Sequence, residues 1–269
     1  MPSKTPKGVA LITGASSGIG AIYADRMAKR GYDLILVARN LQRLEQLAER
    51  LRREAHVEVD VLSADLTIRA DLFRVEEVLR CNQRIAVLIN NAGISMRGDL
   101  IGASPDTLEL MIMLNVLALS RLVVAALPGF LARSSGTIIN IGSVLALVLE
   151  RFNAGYGATK DYVLHFTLKL QEEVGNKGIR VQAVLPGATR TEIWEKAGII
   201  PSPDTLMEVD EMVDAALVGL DRGEIVTIPS LPEVRDWDAY TAARLKLGPN
   251  LSRPHAASRY RKSDPPTGA

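Results

Sequence analysis

A phenol and a primary amine stand four residues apart in Tyr156-Gly157-Ala158-Thr159-Lys160, a spacing that puts both side chains on one helix face, about 6 Å apart. The chemistry open to such a pair is proton transfer. A free tyrosine titrates near pH 10, so a phenol working as a base near neutrality needs roughly 3 units, or about 4 kcal/mol, of stabilisation for its anion. An ammonium about 6 Å away, at an effective dielectric of about 20, contributes on the order of 2.8 kcal/mol. Lysine then supplies most of the shift, and a further positive charge or hydrogen-bond donor must supply the rest. Ser143 follows a β-branched run, and its hydroxyl can bond the reacting oxygen and stabilise charge as it develops.

Asn115 lies in the apolar run Met111–Leu119, where a buried amide costs free energy unless it is hydrogen-bonded. Support of a proton relay and a structural bond between helix and strand are both open to it. His165 is nine residues beyond Tyr156, and at about 100° per residue it faces the opposite way. A structural role, packed or exposed, is expected for it.

A binding chemistry is written nearer the N-terminus, in Thr13-Gly14-Ala15-Ser16-Ser17-Gly18-Ile19-Gly20, ahead of a helix containing Ala21, Ala24 and Ala28. Glycines let a backbone approach a pyrophosphate, and the unpaired amides of a helix N-terminus attract it. The spacing is not G-x-G-x-x-G, and the strand-turn-helix context rather than the letters favours phosphate. Arg39 directly follows the second apolar run, where an acidic residue would hold ribose hydroxyls. A guanidinium suits a 2′-phosphate instead, through charge-assisted, often bidentate hydrogen bonds. The cofactor expected is NADP(H), whose oxidised nicotinamide brings the further positive charge that Tyr156 needs. The plain alternative for Arg39 is a surface residue opening a helix capped by Asn40.

These residues must be positioned by an alternating framework. Strand-like runs recur at Val9–Thr13, Leu34–Ala38, Val57–Leu62, Ala86–Asn90, Thr137–Ile141, Arg180–Leu185 and Ile225–Ile228, nearly continuous in hydrophobicity, as strands covered on both faces are. Helical periodicity is clearest over Leu41–Arg53, Leu108–Leu127 and Tyr156–Val174. The alternation predicts an α/β fold: a doubly wound, Rossmann-type parallel sheet of about seven strands with helices on both faces. One domain over 1–251 is expected, with a short helix near Trp237–Leu245 and a mobile tail over 252–269. The apolar stretch Leu108–Ala132 is interrupted by Glu109, Asn115, Arg121 and Pro128. It is expected to be a buried helix rather than a membrane span.

With Asn90-Asn91-Ala92-Gly93 after the fourth run and Pro186-Gly187-Ala188-Thr189-Arg190-Thr191 after the sixth, the motifs stand in register. From about Lys7 to Ile228 the chain resembles the short-chain dehydrogenase/reductase family. The resemblance implies an oxidoreductase that moves a hydride between NADP(H) and a carbonyl or alcohol. It makes Tyr156 the general acid or base, Lys160 its electrostatic partner and ribose ligand, Ser143 the donor to the substrate oxygen, and Asn115 the support of the proton relay. It also implies that Gly14, Ser16, Ser17, Gly18, Ile19 and Gly20 surround the diphosphate, that Asp65 and Leu66 lie by the adenine, and that Asn91, Ala92 and Gly93 lie by the ribose. Pro186, Gly187, Thr189 and Thr191 would border the cofactor, with Thr191 near the carboxamide. Family members often form homodimers or homotetramers, and Leu108–Leu127 and Tyr156–Val174 carry more apolar surface than one sheet face covers. Substrate choice is expected in Val144–Asn153 and Arg190–Met207, where the run Val144–Leu149 points to a substrate with an apolar body.

Composition narrows the alternatives. Lys plus Arg (32) balance Asp plus Glu (31), so no net field favours nucleic acid or an anionic membrane. One cysteine, Cys81, and three histidines suggest neither an internal disulfide nor a metal site. A reducing, cytoplasmic setting is expected, since Met1–Lys7 lacks the apolar segment of a signal peptide. The rival from another class, an NADP(H)-binding regulator without redox turnover, would be favoured by loss of Tyr156 or Lys160. Both are present.

Overall fold

The computed structural model describes residues 7–96, 98, 100–148, 150, 153–196 and 202–261. Seven runs form strands: β1 (Val9–Thr13), β2 (Asp33–Ala38), β3 (Val59–Ser63), β4 (Ile85–Asn90), β5 (Gly136–Ile141), β6 (Ile179–Val184) and β7 (Val226–Thr227). All pairings are parallel, and the sheet order is β3-β2-β1-β4-β5-β6-β7. The order reverses between β1 and β4, and a cleft opens beyond the carboxyl ends of the strands at such a switch point.

Helices cover both faces: α1 (Gly18–Lys29), α2 (Leu41–Ala55), α3 (Arg69–Cys81), α4 (Pro105–Ile112), α5 (Leu119–Arg133), α6 (Ala154–Val174), α7 (Ile193–Lys196) and α8 (Val209–Asp221). Strand residues feed two cores alternately, as the period of two requires. In β1, Val9 and Leu11 join the core with α3, α5 and α6, while Ala10 and Ile12 join the core with α1, α2 and α8. The amphipathic α2 shows the logic in miniature. Asn40 caps it by accepting from the Arg43 amide at 3.0 Å, Leu44, Ala48 and Leu51 are its buried stripe, and it ends where His56 turns left-handed (φ 55°).

The polar residues of the apolar stretch do not break it. Pro105–Arg133 is one 29-residue helical stretch, long and apolar enough by length and composition to cross a membrane, and Pro128 removes a backbone donor without ending it. In this fold Met111, Ala118, Leu122, Val123, Ala126 and Phe130 are buried, with α5 lying on α3, β4 and β5. Between α4 and α5 the helix widens to a π-turn over Met113–Ala118, which periodicity did not foretell.

The chain divides into two compact units, Met1–Ser230 and Leu231–Ala269. The first holds the whole sheet, and the break falls ahead of the boundary at 251 expected from sequence. The second contains α9 (Val234–Leu247), which has no buried residue and carries a stacked Trp237–Tyr240 pair, 5.4 Å between ring centroids. Of the expected tail, 262–269 lie outside the described residues.

Candidate active site

The glycine turn joins β1 to α1 at the switch point. Gly14 adopts φ +65°, and a Cβ there would lie 2.8 Å from Asn91 Nδ2 and 2.9 Å from Ala92 Cα. A Cβ at Gly20 would meet the Gly14 carbonyl oxygen and, at 2.6 Å, Asn91 Nδ2. The protein's own Asn91–Ala92 segment thus excludes side chains at Gly14 and Gly20, a reason for glycine beyond room for a ligand. Thr13 Oγ1 accepts from the amides of Asn91 and Ala92, both at 3.0 Å. Asn91 Nδ2 donates to the carbonyls of Thr13 (3.0 Å) and Gly14 (3.2 Å). Beyond this clasp, Ser16, Ser17, Gly18 and Ile19 lead into α1, whose first turn has neither a side-chain cap nor an acidic residue. Its amides are left for an anion, so the turn fits a pyrophosphate.

The four side chains expected to react come from three places. Asn115 sits in the π-turn, a distortion often found at functional sites. Its Oδ1 accepts from the Ile94 amide and its Nδ2 donates to the Ile94 carbonyl, both at 2.9 Å, and Nδ2 also lies 3.1 Å from Thr159 Oγ1. Ser143 is buried beyond β5, its Oγ accepting from the Leu145 amide at 3.2 Å. Tyr156 and Lys160 lie on α6, which Asn153 caps by accepting from the Tyr156 amide at 2.8 Å. Lys160 Nζ donates to the Ile141 carbonyl at 2.9 Å and lies 5.6 Å from the centre of the Tyr156 ring. A Cβ at Gly93 would be 3.2 Å from Asn115 Oδ1 and 3.7 Å from Lys160 Nζ. The segment after β4, the π-turn and α6 therefore meet at one point.

The electrostatics correct the arithmetic made from sequence. Burial pushes the Tyr156 phenol well above its ordinary value, and burial pulls the Lys160 ammonium down to about 8. The two groups lie as close as helix spacing demands. Withdrawal from water nonetheless penalises both charges more than their attraction repays. The resting phenol is protonated.

Arg39 is exposed and reaches Asp65, with Nη1 3.8 Å from Oδ2. An acidic group thus does stand beside Arg39, contributed by the chain after β3, where the sequence reading saw none after β2. Asp65 Oδ1 accepts from the Thr67 amide (3.0 Å) and hydroxyl (2.7 Å), and Leu66 is buried in the α3-side core. After β6, the Pro186 carbonyl accepts from the Val144 amide at 3.0 Å, and Thr189 Oγ1 donates to the Gly187 carbonyl at 3.1 Å. A Cβ at Gly18 would lie 3.3 Å from Thr191 Cγ2, which places this loop over the glycine turn. His165 is exposed and pairs with Asp161, 3.0 Å from Oδ1.

Sequence reasoning missed the supporting residues. Thr13 holds Asn91 and Ala92, Thr159 and Asn153 position Asn115 and α6, and Asn153 Nδ2 also donates to the Met96 carbonyl at 2.8 Å. Their signal was present, as polar residues at element ends flanking each motif, but it does not name a partner. Of the expected substrate loops, Leu149, 151–152 and 197–201 lie outside the described residues.

Residues 8–199 match the family model described as short chain dehydrogenase. A short-chain dehydrogenase from Sphingobium yanoikuyae, solved in complex with NADPH, is 51% identical with a TM-score of 0.92, covering 95% of this chain and all of that one. A bulky-bulky ketone specific alcohol dehydrogenase from Comamonas testosteroni is 45% identical with a TM-score of 0.89, covering 95% and 99%. An uncharacterised oxidoreductase of Staphylococcus epidermidis is 31% identical over 227 residues, 84% of this chain and 96% of its own.

Proposed function

This chain belongs to the short-chain dehydrogenase/reductase family, and on that premise we propose that it is an NADP(H)-dependent reductase of ketones with an apolar body, with Tyr156 as the proton donor. The observation that carries the reading is the buried Lys160, held by the Ile141 carbonyl over the Tyr156 ring. An ammonium kept out of water at a cost has a reason to be there if it stabilises an anion formed beside it. The NADPH complex of the Sphingobium relative supports the choice of cofactor.

The glycine turn and the uncapped start of α1 would hold the diphosphate, Arg39 the 2′-phosphate, and Lys160 the nicotinamide ribose. Bound NADPH supplies the hydride that adds to the carbonyl carbon. Tyr156 gives its hydroxyl proton to the carbonyl oxygen, and Ser143 donates a hydrogen bond to that same oxygen. The Lys160 ammonium meets the phenolate left behind. Asn115, by gripping both backbone groups of Ile94, fixes the segment after β4 against α6. Because burial favours the protonated phenol, the resting protein is set for reduction at neutral pH, and oxidation of the alcohol gains as pH rises.

Val144, Leu145, Leu147 and Val148 are half-buried beyond Ser143. They offer apolar walls and few donors for a sugar, and the Comamonas relative is named for bulky ketones. The test is nicotinamide absorbance with matched aromatic and polyhydroxylated ketones, using wild type and Tyr156→Phe. Aromatic ketones should turn over faster, and the variant should lose about 10²–10⁴-fold in rate while still binding NADPH. Substantial turnover in Tyr156→Phe, or preference for the polyhydroxylated series, overturns the reading.

A further inference from the structure

At the opposite end of the sheet, where the strands begin, lies a cavity of about 390 Å³ between the last turns of α1 and α8. The buried side chains of Met27, Val87 and Leu220 lie behind its floor, and Lys7, Arg30 and Arg180 bring three cations against one carboxylate, Asp221. Tyr32 and Thr137 also line it.

Part of this charge has a structural task. Arg30 forms a bidentate pair with Asp221, at 2.9 and 2.7 Å, and stands at the C-terminus of α1, where a cation meets the negative end of the helix dipole. Lys7 and Arg180 have no such task. Among the described residues neither forms a salt bridge, and the side-chain bond of Arg180 is a long one, 3.4 Å to Thr137 Oγ1. Both are nonetheless close enough to Asp221 to add to the pull of Arg30 that holds its carboxyl below the usual range. Two cations beyond the Arg30–Asp221 pair thus face a concave space of a size that holds small ligands.

The geometry points to a second binding site here, for a small phosphate monoester. The phosphate dianion matches the two unanswered charges, and a guanidinium and an ammonium are its usual partners. Strands of five or six residues separate the cavity from the glycine turn by roughly 17–20 Å, so both sites can be filled at once.

Calorimetric titration of phenyl phosphate into NADPH-saturated protein tests this, since saturation removes the nucleotide site as a competitor. Saturable binding with a Kd of about 1 mM or tighter is expected. Arg180→Gln and Lys7→Gln should each weaken it by about tenfold, with ketone reduction unchanged in both. Lys7 lies outside every strand, so its variant decides the matter if Arg180→Gln fails to fold. Arg39→Ala should leave phenyl phosphate binding intact. Absence of saturable binding, equal binding by wild type and both variants, or preference for succinate or neutral phenol overturns the site.

Discussion

Lys160 is held in a state that a stability-optimised protein would avoid. Its pKa falls from an ordinary value of 10.5 to about 8 because it is buried. A depressed pKa means that above about pH 10.5 the folded protein bears no cost, and that stability is lost progressively as pH falls from about 10.5 to about 8. Below that the full linkage cost, on the order of 3 kcal/mol, is present. Lys160→Met should therefore make the ligand-free protein more stable at pH 7 by on the order of 1–3 kcal/mol, after loss of the bond to Ile141. The advantage should shrink toward zero by about pH 10. Urea denaturation of both proteins across this range checks it, and a pH-independent difference would mean that the ammonium is not desolvated. Arg39 offers a separate test. Among the described residues its exposed guanidinium makes one ion pair, a long one to Asp65, so it is available to a 2′-phosphate, and Arg39→Ala should weaken NADPH by about 10–100-fold with little change for NADH. Equal affinity of wild type for the two cofactors would contradict that role.

Among the elements, the sheet is tied to α6 by a chain of buried side chains, of which only Asn90 belongs to a motif. Asn90 Nδ2 donates to Asn140 Oδ1 at 3.0 Å, and Asn140 Nδ2 donates to Thr167 Oγ1 at 3.0 Å. This buried chain runs from β4 through β5 to the helix bearing Tyr156 and Lys160. Thr167→Val keeps the shape but strands the Asn140 amide, and should cost about 1–3 kcal/mol of stability by thermal unfolding. An unchanged midpoint would show that Asn140 finds another partner. Strand positions were legible in the sequence because hydrophobic runs of five or six residues are a local signal, and α6 was legible from its periodicity. The π-turn around Asn115 was not, since its extra residue shifts the helical phase within a run where nearly every residue is apolar, and such a shift leaves no visible break. Nor was the neighbourhood of Arg39 and Asp65, which depends on β2 and β3 pairing in parallel register, a relation between residues 26 apart in the chain.

At the scale of the molecule, the order of motifs was enough to name the fold and the family, whereas surface relations emerge only after folding. The clearest of these is a line of exposed apolar residues from the end of the π-turn along α5: Leu117 (46%), Val124 (63%) and Leu131 (38%). They recur every seven residues, close to two helical turns, and so repeat along one side of the helix as the seam of a helix pair does. Water gains nothing by meeting such a line, while a second copy laid against it in two-fold symmetry would bury the same residues on both sides. The protein should therefore be a homo-oligomer at micromolar concentration by light scattering. Val124→Glu, which sets a like charge against its symmetry mate at the most exposed point of the line, should drive it toward monomer. Because Val124 contributes nothing to the core, the variant should still fold and bind NADPH. A wild-type monomer at these concentrations, or a Val124→Glu protein of unchanged mass, would show that this line is not where copies meet.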